Sequence, residues 1–277
     1  MSVLVTGGSG FLGRYVVDHM RDGGERVVSC DRGLDLSALA TTITEHGVHA
    51  IVHAAGVADG DLSVGMPAIT VTTNAIGTLH LLEAARLAGF GGRIVLVSSM
   101  GVYGDAPALR PRTPLAATHA FGDLLGQVYA GCYGLDVVSL RLSELYGPGR
   151  RLPRLLEDII EAAAAGRPVR VELSGHRPQR LLHAEDAVRA VIAALDAPSP
   201  STRVYDIAGE PVLPDQVAAI VGDRTPGAAV EVAAVAPPAV DDVGDTAADR
   251  ELGYRPRWGL ARGLDDFCEW RAAEEAC

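Results

Sequence analysis

The 277-residue chain predicts an α/β fold: a doubly wound parallel sheet covered on both faces by helices, with a small C-terminal lobe. Three observations carry that expectation. A short apolar run at 3–5 passes through a glycine turn, Thr6-Gly7-Gly8-Ser9-Gly10-Phe11-Leu12-Gly13, into an amphipathic run from Tyr15 to Met20. A second apolar run, 26–30, ends at the acid Asp31. Strand-like runs then alternate with helical patterns through the first two-thirds of the chain, the signature of a parallel sheet.

Taken in order, strands are expected at 2–5, 26–30, 50–53, 93–98 and 136–141, and helices near 10–21, 37–46, 67–88 and 114–133. The loose stretch 225–245, rich in Ala, Val, Pro and Asp, is placed in the C-terminal lobe. In such a sheet the carboxyl ends of the strands meet one crevice, so Gly7, Asp31, His53 and the Ser98-Ser99 pair should converge there. The glycine spacing suits a dinucleotide. Gly7 takes a tight turn, Gly10 lets backbone N–H groups approach a pyrophosphate, and Gly13 lets the helix sit close to the strand, its N-terminus toward the phosphates. Asp31 can accept hydrogen bonds from a ribose 2′-OH and would repel a 2′-phosphate, which favours NAD. The adjacent Arg32 could accept a 2′-phosphate, so NADP stays open.

Composition excludes several classes. A net charge of −11 argues against nucleic acid or an anionic membrane surface as the main partner. No apolar run reaches the length of a membrane span. The first strand starts at once, with no basic leader or cleavage site, and the four cysteines (Cys30, Cys132, Cys268, Cys277) are scattered. A cytoplasmic protein without a metal cluster or disulfide framework is the expectation. The chain contains no lysine; all 24 basic residues are Arg, so no mechanism that needs a lysine of this chain can operate.

Longer motifs resemble the extended short-chain dehydrogenase/reductases, also called NAD-dependent epimerase/dehydratases. They are the glycine turn, Ile51-Val-His-Ala-Ala-Gly56, Asn74-Ala-Ile-Gly-Thr-Leu-His-Leu-Leu-Glu-Ala-Ala-Arg86, Val97-Ser-Ser-Met-Gly-Val-Tyr-Gly104, Leu140-Arg-Leu-Ser-Glu-Leu-Tyr-Gly-Pro-Gly149, His183-Ala-Glu-Asp186 and Glu251-Leu-Gly-Tyr-Arg-Pro-Arg-Trp258. The resemblance implies a Rossmann-type core over 1–145. It places a substrate lobe mainly in 146–277, with segments near 180–210 returning to the core. It also implies homodimers through the two long helices and a sugar-like or polyketide-like small-molecule substrate. The cofactor set it implies is Gly7, Gly10, Phe11, Leu12, Gly13, Asp31, Arg32, Ala54, Ala55, Gly56, Asn74 and Ser98. Asn74 and His53 are also expected to hold the active-site helix and the sheet end in place, and His183 and Asp186 to be structural.

The resemblance breaks at the proton relay. Active members carry a Tyr-x-x-x-Lys pair; in the gapless register set by Tyr133-Gly134-Leu135, Leu115 replaces the Tyr and His119 the Lys. A rival register would put His119 and Asp123 there, and both registers lack the pair. Ser99 keeps the family's Ser/Thr position. Glu144 stands where an Asn usually helps bind substrate, and Gln179 where many sugar-nucleotide enzymes place an Arg on the diphosphate, a role Arg177 or Arg180 could take over. The Asp-Glu pair of the 4,6-dehydratases is replaced by Met100-Gly101. The catalytic candidates are therefore Ser99, His119, Glu144 and Tyr103, each with a plainer role beside it. Ser99 could be a strand-end cap, His119 a ribose contact or a drifted position, Tyr103 a loop strut and Glu144 a rim residue paired with Arg141 or Arg150. Two functions follow: an enzyme doing redox or non-redox acid/base chemistry without the Tyr–Lys relay, or a catalytically silent dinucleotide-binding regulator.

Overall fold

In a computed structural model the described residues are 2–31, 35–104, 108–150, 169–172, 179–198, 200–212, 216, 219–220, 223, 230–233 and 246–275, with backbone alone for 169–172, 179, 230, 231–233, 246 and 274–275. Arg32, Arg177, the Gln179 side chain and 225–245 apart from 230–233 lie outside this description. The chain divides into two units: Met1–Ser143 with Glu185–Ile207 and Asp245–Arg255, and Glu144–Ala184 with Ala208–Gly244 and Pro256–Cys277.

The first unit holds a six-stranded sheet built from β1 (Ser2–Thr6), β2 (Arg26–Cys30), β3 (Val48–His53), β4 (Arg93–Ser99), β5 (Asp136–Leu142) and, later in the chain, β9 (Val204–Ile207). Its order is β2-β1-β3-β4-β5 followed by Val204–Ile207, and every pairing is parallel. Chain direction across the sheet reverses at β1, so the switch point, where ligands bind in such sheets, lies between the ends of β1 and β3. Strands of this kind need apolar residues on both faces. β1 is buried along its whole length, and Ile51, Val52, Ile94, Val95, Val138 and Leu140 are 0% exposed.

The helices are α1 (Phe11–Asp22), α2 (Leu36–Glu45), α3 (Gly60–Gly65), α4 (Pro67–Thr70), α5 (Gly77–Leu87) and α6 (Pro114–Tyr133), with Ala184–Asp196 later in the chain. Each start has a local cause. Asp35 caps α2 by accepting from the Ser37 and Ala38 N–H groups, and Thr113 caps α6 with Pro114 at its first position. α6 ends at Gly134, whose φ of +71° is a left-handed cap. Where the sequence predicts one helix over 67–88, the structure puts a π-helical segment, Val71–Ile76, between α4 and α5. Leu39, Ile43, Leu81, Leu82 and Tyr129 from these helices pack with Leu4, Ile51 and Ile94 of the strands in one buried cluster.

In the second unit, β6 (Glu144–Tyr146), β8 (Gln179–His183) and β10 (Glu210–Val212) form a three-stranded sheet, with β7 (Val169–Glu172) paired to β11 (Val230–Ala233). The helix Leu260–Glu275 follows, and within this unit Trp258 stacks on buried His183 at 4.1 Å between ring centroids.

Candidate cofactor cleft and active site

At the switch point the chain leaves β1 through a turn only glycine can make. Gly7 has φ +74°, and a Cβ there would lie 2.6 Å from the Ala55 nitrogen. Its N–H donates to the Cys30 carbonyl at 2.9 Å, and the Gly10 N–H donates to Gly7 at 2.9 Å. α1 then begins with Gly10 as its cap, and that residue supplies no side-chain cap. The positive end of the helix is thus left to an anion. Gly13 lets α1 sit directly on the turn, since a Cβ there would run into the Gly7 carbonyl oxygen.

The result is a cleft of about 550 Å³ that brings together Gly7, Gly10, Asp31, Ala54, Ala55 and Gly56. Asp31 accepts from the Ser9 N–H at 2.8 Å, which draws its carboxylate to the glycine turn. Phe11 and Leu12 offer the site only backbone, because Leu12 is buried and the Phe11 ring packs edge-on against Tyr15 at 5.5 Å. Asn74 works as a clamp. Its Oδ1 accepts from the Val57 N–H at 2.8 Å and its Nδ2 donates to the Val57 carbonyl at 3.0 Å, which fixes the loop after Gly56.

The cleft is also lined by Ser9, Asp35, Thr72, Thr73, Ile76, Gly77 and His80, which the sequence reading missed. Five of these lie in or just after the π-helical segment, whose wider i→i+5 turn no periodicity in 67–88 announces. The donors and shape fit a dinucleotide: an uncapped helix end, a glycine turn without side chains, and a carboxylate at the end of β2.

A second, smaller cavity of about 30 Å³ lies among β3, β4, α5 and α6, lined by His53, Asn74, Thr78, Ser98, His119 and Asp123 with five further residues. Of the four catalytic candidates only His119 lines it. Burial pushes the His119 imidazole below its ordinary pKa, partly offset by the Asp123 carboxylate. Burial takes His53 down to about 4. Both rings are therefore neutral at pH 7. His53 has its tautomer set by its partners. Thr78 Oγ1 donates to the Asn74 carbonyl at 2.7 Å, so it accepts from His53 Nε2 at 3.0 Å; Nδ1 then accepts from Thr6 Oγ1 at 2.7 Å.

The remaining candidates are held elsewhere. Ser99 Oγ accepts from the Gly101 N–H at 3.0 Å and caps the 3-10 turn Met100–Tyr103. Tyr103 donates to Asp206 at 2.7 Å and accepts from Arg141 Nη1 at 2.6 Å. Its pKa is raised by burial first and by Asp206 next, the opposite of what a proton-exchanging phenol needs. Arg141 in turn pairs with Asp123, whose side chain is 0% exposed, at 2.7 Å. Glu144, in the second unit, is half exposed and pairs with Arg150 at 3.3 Å. In the same unit Arg180 Nη1 donates to the Gly209 carbonyl at 3.2 Å.

A model of the NAD dependent epimerase/dehydratase family matches residues 3–208. The dTDP-glucose 4,6-dehydratase of Streptomyces niveus is 31% identical over 312 aligned positions, covering 98% of this chain and 92% of that protein. The UDP-glucose 4-epimerase of Mycolicibacterium smegmatis is 28% identical, covering 98% of both. Among solved structures, MoeE5 in complex with UDP-glucose and NAD superposes with a TM-score of 0.81 at 26% identity, covering 99% of this chain and 100% of that one. Among the described residues no helix is long and apolar enough to cross a membrane.

Proposed function

The chain belongs to the NAD-dependent epimerase/dehydratase family, and we propose that it is an NAD-dependent enzyme oxidising a carbinol of a sugar-like substrate through a proton relay centred on His119. NAD is the cofactor; when bound it takes up and returns the hydride. Gly7, Gly10 and the first turn of α1 would hold its pyrophosphate, and Asp31 its adenosine ribose. NADP is disfavoured by the same carboxylate.

The observation that carries the reading is His119. In the gapless register its imidazole takes the family's lysine position on α6; it is held neutral by burial and can accept a proton near pH 7. Ser99 keeps the family's hydroxyl at the end of β4 and would orient the substrate oxygen. Tyr103 takes a strut role, because both sides of its hydroxyl are engaged. Glu144 serves as a rim residue of the second unit, partnered by Arg150. The relatives named above, a dehydratase of dTDP-glucose and an epimerase of UDP-glucose, support a nucleoside-diphosphate hexose as the substrate class.

The test incubates NAD-loaded protein with dTDP-glucose and UDP-glucose and follows the sugar protons by NMR. Turnover that His119→Gln abolishes supports the proposal. Tight NAD binding without turnover of either sugar would favour the silent regulator, a reading supported by the absence of lysine and by Leu115.

Dimerisation is proposed through the two long helices. Ile69, Phe121, Leu124 and Val128 expose between 39% and 53% of their surface there, apolar surface that a second copy of the chain could cover. Sedimentation should give twice the chain mass, and Leu124→Glu with Val128→Glu should give the monomer.

A further inference from the structure

In the 30 Å³ cavity, donors run short at Asp123. One of its oxygens, Oδ2, is taken by Arg141. The other, Oδ1, is buried and meets no donor among the described residues, and the buried Ser98 Oγ in the same cavity is likewise unpartnered among them. A buried carboxylate oxygen left without a donor costs several times what a hydrogen bond returns.

The other lining groups have already spent their protons. The Thr78 hydroxyl donates to Asn74, the Thr118 hydroxyl to Leu115, and the Asn74 amide to Val57 and Thr118. His53 gives its one ring proton to Thr78. What remains is the Ser98 hydroxyl and the ring N–H of His119, which lies one turn before Asp123 on the same face of α6. The cavity is also large enough for one bridging water.

We propose that Asp123 is the positioning residue of His119. Its Oδ1 takes the imidazole N–H through one water shared with Ser98, fixes the tautomer, and leaves the other ring nitrogen as the proton acceptor. This rests on the assignment of His119 above. The charged and titratable groups around the ring are His53 from β3, Asp123 on α6, and Arg141 from β5 behind Asp123. His53 is neutral, and Arg141 is compensated by Asp123, so the Asp123 carboxylate controls which nitrogen holds the proton.

The test is long-range 1H–15N NMR of the histidine rings near pH 7.5, with His119 assigned from the spectrum of His119→Gln. One dominant tautomer is expected in the unaltered protein. In Asp123→Asn the amide oxygen must face Arg141, which turns the NH2 group toward His119; the opposite tautomer should then dominate and the ring's pKa should fall. Equal tautomers in the unaltered protein, or an unchanged tautomer in Asp123→Asn, would overturn the proposal. If Asp123→Asn does not fold, the unaltered protein decides by the same criterion. This readout is independent of turnover. If His119→Gln keeps full activity, the catalytic assignment falls while the tautomer result still judges Asp123.

Discussion

Gly13→Ala should cost the fold and the cofactor together, although alanine is the better helix former. The added Cβ would overlap the Gly7 carbonyl oxygen and lie 2.7 Å from the Gly7 carbonyl carbon and 3.0 Å from Gly8 Cα. All three are backbone atoms of the turn, so no side chain can swing aside. Overpacking of this kind costs about 1–3 kcal/mol, against about 1 kcal/mol gained from helix propensity. The net loss is up to about 2 kcal/mol, a few degrees of melting temperature in a protein of this size. α1 must also lift from the Gly7–Gly10 turn, so NAD affinity should fall with stability. Gly131 is the control. It lies within α6, a Cβ there meets nothing within 4 Å, and Gly131→Ala should raise stability by roughly 0.5–1 kcal/mol. Thermal melts with and without NAD, beside calorimetric titration, decide the matter. A Gly13→Ala protein that melts at or above the parent temperature with unchanged NAD affinity would refute the packing argument.

Three further outcomes follow from the site. Replacing Asp31 by Ala should weaken NAD binding about 10- to 100-fold, the worth of a charged hydrogen bond, and narrow the preference over NADP; equal affinities before and after would remove Asp31 from the ribose. Arg141→Met should destabilise the protein by about 3–5 kcal/mol in urea melts, because it strands the buried Asp123 carboxylate, whereas a loss within 1 kcal/mol would mean the pair is not desolvated. His53 has a folded pKa depressed to about 4 from 6.5, so its contribution is complete above pH 6.5 and is lost as pH falls toward 4, up to about 3 kcal/mol in all. Urea midpoints between pH 7 and pH 5, above most carboxylates, should therefore fall, and His53→Gln should flatten that slope; an equal slope in both proteins would contradict the buried neutral ring.

Much of this was written in residue order. Alternating apolar runs and the glycine spacing specify the parallel sheet and the turn because they act locally: β1 is buried throughout around its apolar centre at 3–5, and Gly7 has to turn with positive φ against Ala55. The acid closing β2 reaches the same cleft because β1 and β2 pair in parallel register. Less was legible where the determinant lies across the fold. The π-helical segment at Val71–Ile76 depends on a register inside one helix that the apolar pattern leaves open. The engagement of Tyr103 needs Arg141 and Asp206, 38 and 103 residues away. The importance of Asp123 emerges only from counting donors among residues drawn from β3, β4, α5 and α6. The absence of lysine is read directly from the sequence; the surroundings of His119 are not, because its cavity draws on residues far apart in the chain.

The most direct measurement is the pH–rate profile of NAD-loaded protein on a nucleoside-diphosphate hexose, beside its His119→Gln variant. Activity should rise through a pKa below the ordinary 6.5 of histidine as His119 loses its proton, and the variant should lose about 100-fold or more, the usual worth of a general base. Full activity in the variant, with the same profile, would contradict the account at its centre.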